Sequence, residues 1–235
     1  MRRITTLSLA TVAALALSAA PAFAVTSQQT LVAKVSPNKA GTAKKPANVA
    51  LTVEPKVALD PADSPFATTT AVIFLDKNLK FGGAKFKSCT AGQVPAGKCP
   101  SAAKVGSGTA QGQALGLTEN LKITAYNGPG GKSLLMRVQG DSPLTIDSTL
   151  VGQLSSASGA YGKKLTVAIP SDLQQPAPGA FATLLDFKLN VKGTSGKTPY
   201  VGLTGCPAGG LKFGGAFTYT DGSTQNVTTT AACKK

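Results

Sequence analysis

Few residues of this chain have the types and spacing that chemistry requires. Ser101-Ala102-Ala103-Lys104 has the S-x-x-K form in which a serine nucleophile is served by a lysine one helical turn on. Pro100 precedes it, a Gly-rich strand pattern follows, and no S-D-N or K-T-G partner element is present. Gly196-Lys197-Thr198 ends like a phosphate loop, but that motif needs glycine five residues earlier, where Val191 stands. A hairpin turn is the expected structure there. Gly106-Ser107-Gly108 and Gly112 lack the spacing and the helix of a dinucleotide fingerprint and read as glycines within a strand. The chain has no histidine, which removes Ser-His-Asp and Cys-His triads. Ten acids are available for paired-carboxylate chemistry. Nothing selects two of them, and Asp60, Asp63, Asp76, Asp141 and Asp221 look like turn residues.

The cysteines are more informative. Cys89, Cys99, Cys206 and Cys233 are an even set, which in an exported chain reads as two disulfides. Of the possible pairings, Cys89–Cys99 with Cys206–Cys233 is preferred, because both pairs bracket Gly-rich turns. Spacings of 10 and 27 without histidine match no zinc motif. Neither a metal nor a cofactor is expected.

Positioning falls to many short strands. Period-two or apolar runs at 31–35, 49–53, 71–75, 80–89, 105–114, 121–126 and 133–138 are separated by turn residues. Further runs lie at 149–154, 164–169, 183–191, 200–205, 212–219 and 224–229. Asn127-Gly128-Pro129-Gly130-Gly131 and Asp221-Gly222 are hairpin turns, and one short helix is predicted at 170–175. The fold class is all-β: a sandwich of about 10–13 short antiparallel strands, Ig-like or jelly-roll-like, forming a single domain over 25–235. Leu79-Lys80-Phe81-Gly82-Gly83-Ala84 recurs as Leu211-Lys212-Phe213-Gly214-Gly215-Ala216, which is read as two equivalent strands.

Residues 1–24 form a signal peptide: Arg2 and Arg3, an apolar run from Leu7 to Ala20, then Pro21-Ala22-Phe23-Ala24. The run is short of the ~20 residues that span a bilayer. A cut after residue 24 of 235 leaves 211 residues. No later segment is expected to cross a membrane.

The formal charge is +14, yet beyond the leader the cations are Lys except for Arg137. Bidentate reading of bases and phosphates is mostly arginine work. The balance therefore predicts loose attraction to anionic surfaces and no nucleic-acid partner. Lys80, Lys85 and Lys87 are the candidate contacts, with Lys85 and Lys87 on one face of a strand.

Phe86-Lys87-Ser88-Cys89, Gly97-Lys98-Cys99-Pro100 and Lys104-Val105-Gly106-Ser107-Gly108-Thr109-Ala110 together resemble a pattern in secreted proteins of high-GC Gram-positive bacteria. That F-x-x-C … C-P … K-V-G-S-G-x-A pattern covers about a third of the chain, which departs from it at Ala103, where Ser is usual. The resemblance implies secretion, a β-rich fold and a Cys89–Cys99 bridge, and transfers no functional residues. The expected protein is exported and non-enzymatic. Its role is structural or binding, at the cell surface or in the medium, with anionic envelope polymers or other surface proteins as partners. The alternatives are a secreted carboxylate-dependent hydrolase and a secreted inhibitor or matrix protein.

Overall fold

The computed structural model describes residues 28–58 and 66–235. The expected leader, its cleavage point before Val25, and Asp60 and Asp63 lie outside the described residues. In chain order the first strands are β1 (Gln28–Ser36), β2 (Ala47–Asn48), β3 (Ala50–Ala58), β4 (Thr68–Asp76) and β5 (Leu79–Phe81). After three short 3-10 turns come β6 (Lys104–Ala114), β7 (Leu117–Asn127), β8 (Ser133–Gly140), β9 (Ile146–Ser156) and β10 (Tyr161–Ala168). A single helical turn, α1 (Ser171–Gln174), leads to β11 (Thr183–Val191). The chain ends with β12 (Thr194–Ser195), β13 (Thr198–Pro199), β14 (Val201–Leu203), β15 (Leu211–Tyr219) and β16 (Thr224–Ala231).

Eleven of these strands make one antiparallel sheet in the order β1-β3-β11-β6-β7-β8-β9-β10-β4-β15-β16. The sheet curls until β1 lies alongside β16. Gln29 N donates to Gln225 Oε1 at 2.9 Å, and Tyr219 Oη donates to Gln29 Oε1 at 3.1 Å. These side-chain bonds tie the seam where, among the described residues, no backbone ladder joins β1 to β16. The result is all-β and antiparallel with two disulfides, as expected, and its layers are those of a nearly closed barrel rather than a clear sandwich.

Alternation explains the barrel wall. On β1, Leu31, Ala33 and Val35 are buried while Val32 and Lys34 are exposed; on β7, Leu121, Ile123 and Ala125 are buried while Lys122 is exposed. Successive side chains of a strand point to opposite faces, so such runs fill the interior and leave polar residues outside. Outside, Lys56 Nζ bridges Glu54 Oε1 at 2.7 Å and Asp186 Oδ2 at 3.3 Å, and Arg137 pairs with Asp147. This polarity is opposite to that of a membrane-spanning barrel, whose apolar band faces outward.

A small sheet, β2-β14-β5, and both disulfides cover the end of the barrel where β6, β8, β10 and β15 begin. Cys89–Cys99 and Cys206–Cys233 are the pairs. Asn127, fully buried, donates through Nδ2 to Gly83 O at 2.9 Å and Lys87 O at 3.1 Å, anchoring the segment before Cys89.

That segment corrects one expectation. The strand predicted over 80–89 ends at Phe81 and gives way to a 3-10 turn, Gly83–Lys85. A side chain at 82 would collide with Pro199 O, and one at 83 would meet Asn127 Oδ1 and Gly131 Cα. The backbone is thus pressed against distant segments and cannot continue as a strand. Lys85 and Lys87 consequently share no strand face. The two Leu-Lys-Phe-Gly-Gly-Ala copies are not equivalent either: one is the three-residue β5 and its turn, the other lies in the nine-residue β15.

Candidate functional site

The covered end of the barrel leaves the other end free to open. There the β6–β7 turn, the loop 141–145 and the segment 169–182 that carries α1 come together. Between the two ends runs a cavity of about 200 Å³. On β3 its wall extends from Leu51 to Val57, on the order of 20 Å of strand at ~3.3 Å per residue. Leu134, Met136 and Val138 supply the facing wall from β8, and Tyr200 stands at the covered end.

Room for the cavity comes from β6. Its inner positions are Gly106, Gly108, Ala110, Gly112 and Ala114, since Gly108 and Ala110 pair with the inward Leu189 and Phe187 of β11. Small residues at every second position remove the side chains that would otherwise meet those of β3 and β8. A side chain at 108 would collide with Lys188 O, so glycine is also what lets the two strands approach.

The lining is aliphatic with few polar groups, and among the described lining residues none is Lys or Arg. Two carboxylates border it. Asp172 is exposed on α1. Glu119 is 6% exposed, because it occupies an inner position of β7, in step with Leu117, Leu121, Ile123 and Ala125. Leu144 N donates to Glu119 Oε2 at 3.0 Å. Oε1 is buried without a hydrogen-bond partner among the described residues. At the covered end, burial pushes the Tyr200 hydroxyl well above the ordinary phenol range, and its ring meets Phe86 edge-on at 5.1 Å.

Apolar side chains rim the open end. Leu115 is 76% exposed and Phe181 53%, with Leu117 and Leu144 also exposed. Leu115 carries a φ of 50° and Gly116 one of 76°. This is the two-residue hairpin geometry that Asn-Gly ordinarily fills. A leucine there is both strained and solvated.

The motifs weighed in the sequence lie elsewhere. Ser101 is exposed in a single 3-10 turn, Ser101–Ala103, closed by Lys104 N–H on Ser101 O, and Lys104 begins β6, so the α-helix that carries the motif is not there. Gly196 and Lys197 are the turn between β12 and β13, with Gly196 at φ 58°, and Thr198 begins β13. Gly106, Gly108 and Gly112 sit in a strand. Lys80, Lys85 and Lys87 are all exposed at the covered end, on β5, its turn and the following segment. Among the described residues no three His, Cys, Asp or Glu side chains gather as a metal site, and no helix is long and apolar enough to cross a membrane. Sequence reasoning missed the cavity and Glu119. The signals were the period-two Gly/Ala run of β6 and an acid in step with Leu121 and Ile123.

No protein-family model, curated protein or solved structure matches the chain.

Proposed function

We propose that this is an exported, non-enzymatic binding protein that holds a small apolar molecule inside its barrel, at the cell surface or in the medium. The observation carrying this reading is the aliphatic cavity of about 200 Å³. Protein interiors are close-packed, with few voids larger than a water molecule. At ~24 cal/mol per Å³, leaving such a volume empty forgoes on the order of 5 kcal/mol, comparable with the whole stability of a domain. A cavity kept at that cost is best explained by an occupant. Its size is below the ~300–1,000 Å³ of pockets for drug-sized ligands, which suits one narrow chain or small ring system. Leu115, Leu117 and Phe181 at the rim offer such a molecule an apolar path from a lipid surface or another carrier.

The test is native mass spectrometry of protein purified without detergent, with titration of an apolar fluorescent probe into stripped protein. A bound apolar species, or saturable probe binding abolished by Ala110→Phe, supports the reading. Neither would end it.

A second role is compatible with the first. Lys80, Lys85 and Lys87 are exposed together with Lys77 and Lys98 at the covered end. Lysines without arginine suit diffuse attraction to anionic envelope polymers. Such attraction would hold the barrel by its covered end and leave the mouth accessible.

A further inference from the structure

Resting on the reading of the barrel as a binding cavity, we propose that Glu119 selects the ligand's polar end. The cavity takes molecules whose apolar body ends in a hydrogen-bond donor, a hydroxyl or an ammonium, and rejects those ending in a carboxylate. Glu119 lines the cavity; its Oε1 is buried without a hydrogen-bond partner among the described residues, while Oε2 is held by the Leu144 amide. A carboxylate oxygen accepts hydrogen bonds and donates none. A buried polar group ordinarily has a partner, so an unpaired acceptor on a cavity-lining side chain marks where a donor belongs. Glycine at 140 leaves room for this oxygen, since a side chain there would collide with it. Asp172 adds a second negative group, and no described lining residue supplies a cation to receive an anionic head. An amphiphile would enter with its apolar body along β3 and β8 and its head at the level of Glu119, near the mouth.

The probes are three compounds with one alkyl chain and different heads: dodecylamine, dodecanol and dodecanoate. They are titrated by calorimetry, below their aggregation concentrations, into the full chain with both disulfides intact. The amine should bind about 10- to 100-fold more tightly than the carboxylate, the range expected for one charge-assisted hydrogen bond gained or lost, with the alcohol between them. In Glu119→Gln the amide oxygen takes over the Leu144 N–H and the amide nitrogen points into the cavity as a donor. The order should then flatten or invert. Glu119→Asp, which withdraws the carboxylate by one methylene, is the second variant and should narrow the preference without inverting it.

Equal or tighter binding of dodecanoate by the natural chain would overturn the selection while leaving the barrel reading intact. A preference for the amine that persists unchanged in both variants would overturn the role of Glu119. Absence of binding by all three probes would overturn both.

Discussion

Gly140 and Glu119 are matched: Glu119 Oε1 occupies the volume that any side chain at position 140 would need, with Leu121 Cδ2 2.7 Å from the same point. Gly140 is the last residue of β8, and the loop that follows bends back so that Leu144 N meets Glu119 Oε2. A missing side chain on one strand thus makes room for the carboxylate, and a backbone amide beyond it holds it.

Gly140→Ala tests this match. The added methyl must displace the carboxylate or Leu121, and overpacking of this kind costs about 1–3 kcal/mol. The melting temperature should fall by about 2–4 °C per kcal/mol in a chain of this size. An unchanged Tm by calorimetry would mean that the carboxylate is not held as described.

Leu115→Asn separates stability from loading. Asparagine tolerates the left-handed conformation that Leu115 adopts at φ 50°, and Asn-Gly is the preferred pair for a two-residue hairpin turn. The variant should be more stable by roughly 0.5–1 kcal/mol, since strain of this kind costs on that order. It should take up an apolar probe more slowly, because it removes an exposed apolar side chain from the rim. A denaturant midpoint that does not rise, or an unaltered uptake rate in stopped flow, would show that position 115 is an ordinary turn.

The barrel was legible in the sequence to the level of its strands. Thr183–Val191 is β11 and alternates from Phe187 onward, past a register shift between Leu184 and Asp186, and Asn127 to Gly131 forms the turn it promises. Closure was not legible, because sandwiches and barrels share the period of two. What distinguishes them here is that β11 inserts between β3 and β6 and β4 between β10 and β15, both long-range pairings. The strand that failed, 80–89, was stopped by Pro199 and Gly131, which no local pattern reveals. Glu119 was hidden for a related reason. A strand begun at Leu121 leaves it in a turn, whereas β7 begins at Leu117 and turns it inward.

Alkaline pH should open the seam. Tyr219 joins β15 to Gln29 of β1, and burial raises its hydroxyl to about 12 from a phenol's ordinary ~10. The folded state therefore keeps the proton longer than the unfolded one. The stability this contributes is fully present below pH ~10 and is lost as pH rises through about 12. Unfolding followed by circular dichroism should coincide with the appearance of phenolate absorbance. Tyr219→Phe, which has no proton to lose, should move the alkaline midpoint upward. A midpoint that stays in place would assign base unfolding to other groups, Tyr200 first among them.

The covered end provides the test of the second role. Lys80, Lys85 and Lys87 stand on a strand, a 3-10 turn and the segment after it, so they share no strand face and it is their summed charge that acts. All three are exposed, and none forms an ion pair among the described residues. Changing them together to Gln should leave Tm within about 1 °C, since exposed charges contribute little to stability. Affinity for purified anionic wall polymer should fall in the triple variant. In the natural chain it should weaken steeply with added salt, because contacts beyond a Debye length of ~10 Å at 0.1 M are screened. Replacing Asp172 and Glu119 at the opposite end should leave polymer binding unchanged, which separates this surface from the cavity. Binding that is absent at low salt, or equal in the triple variant, would reduce the lysines to a solvated surface.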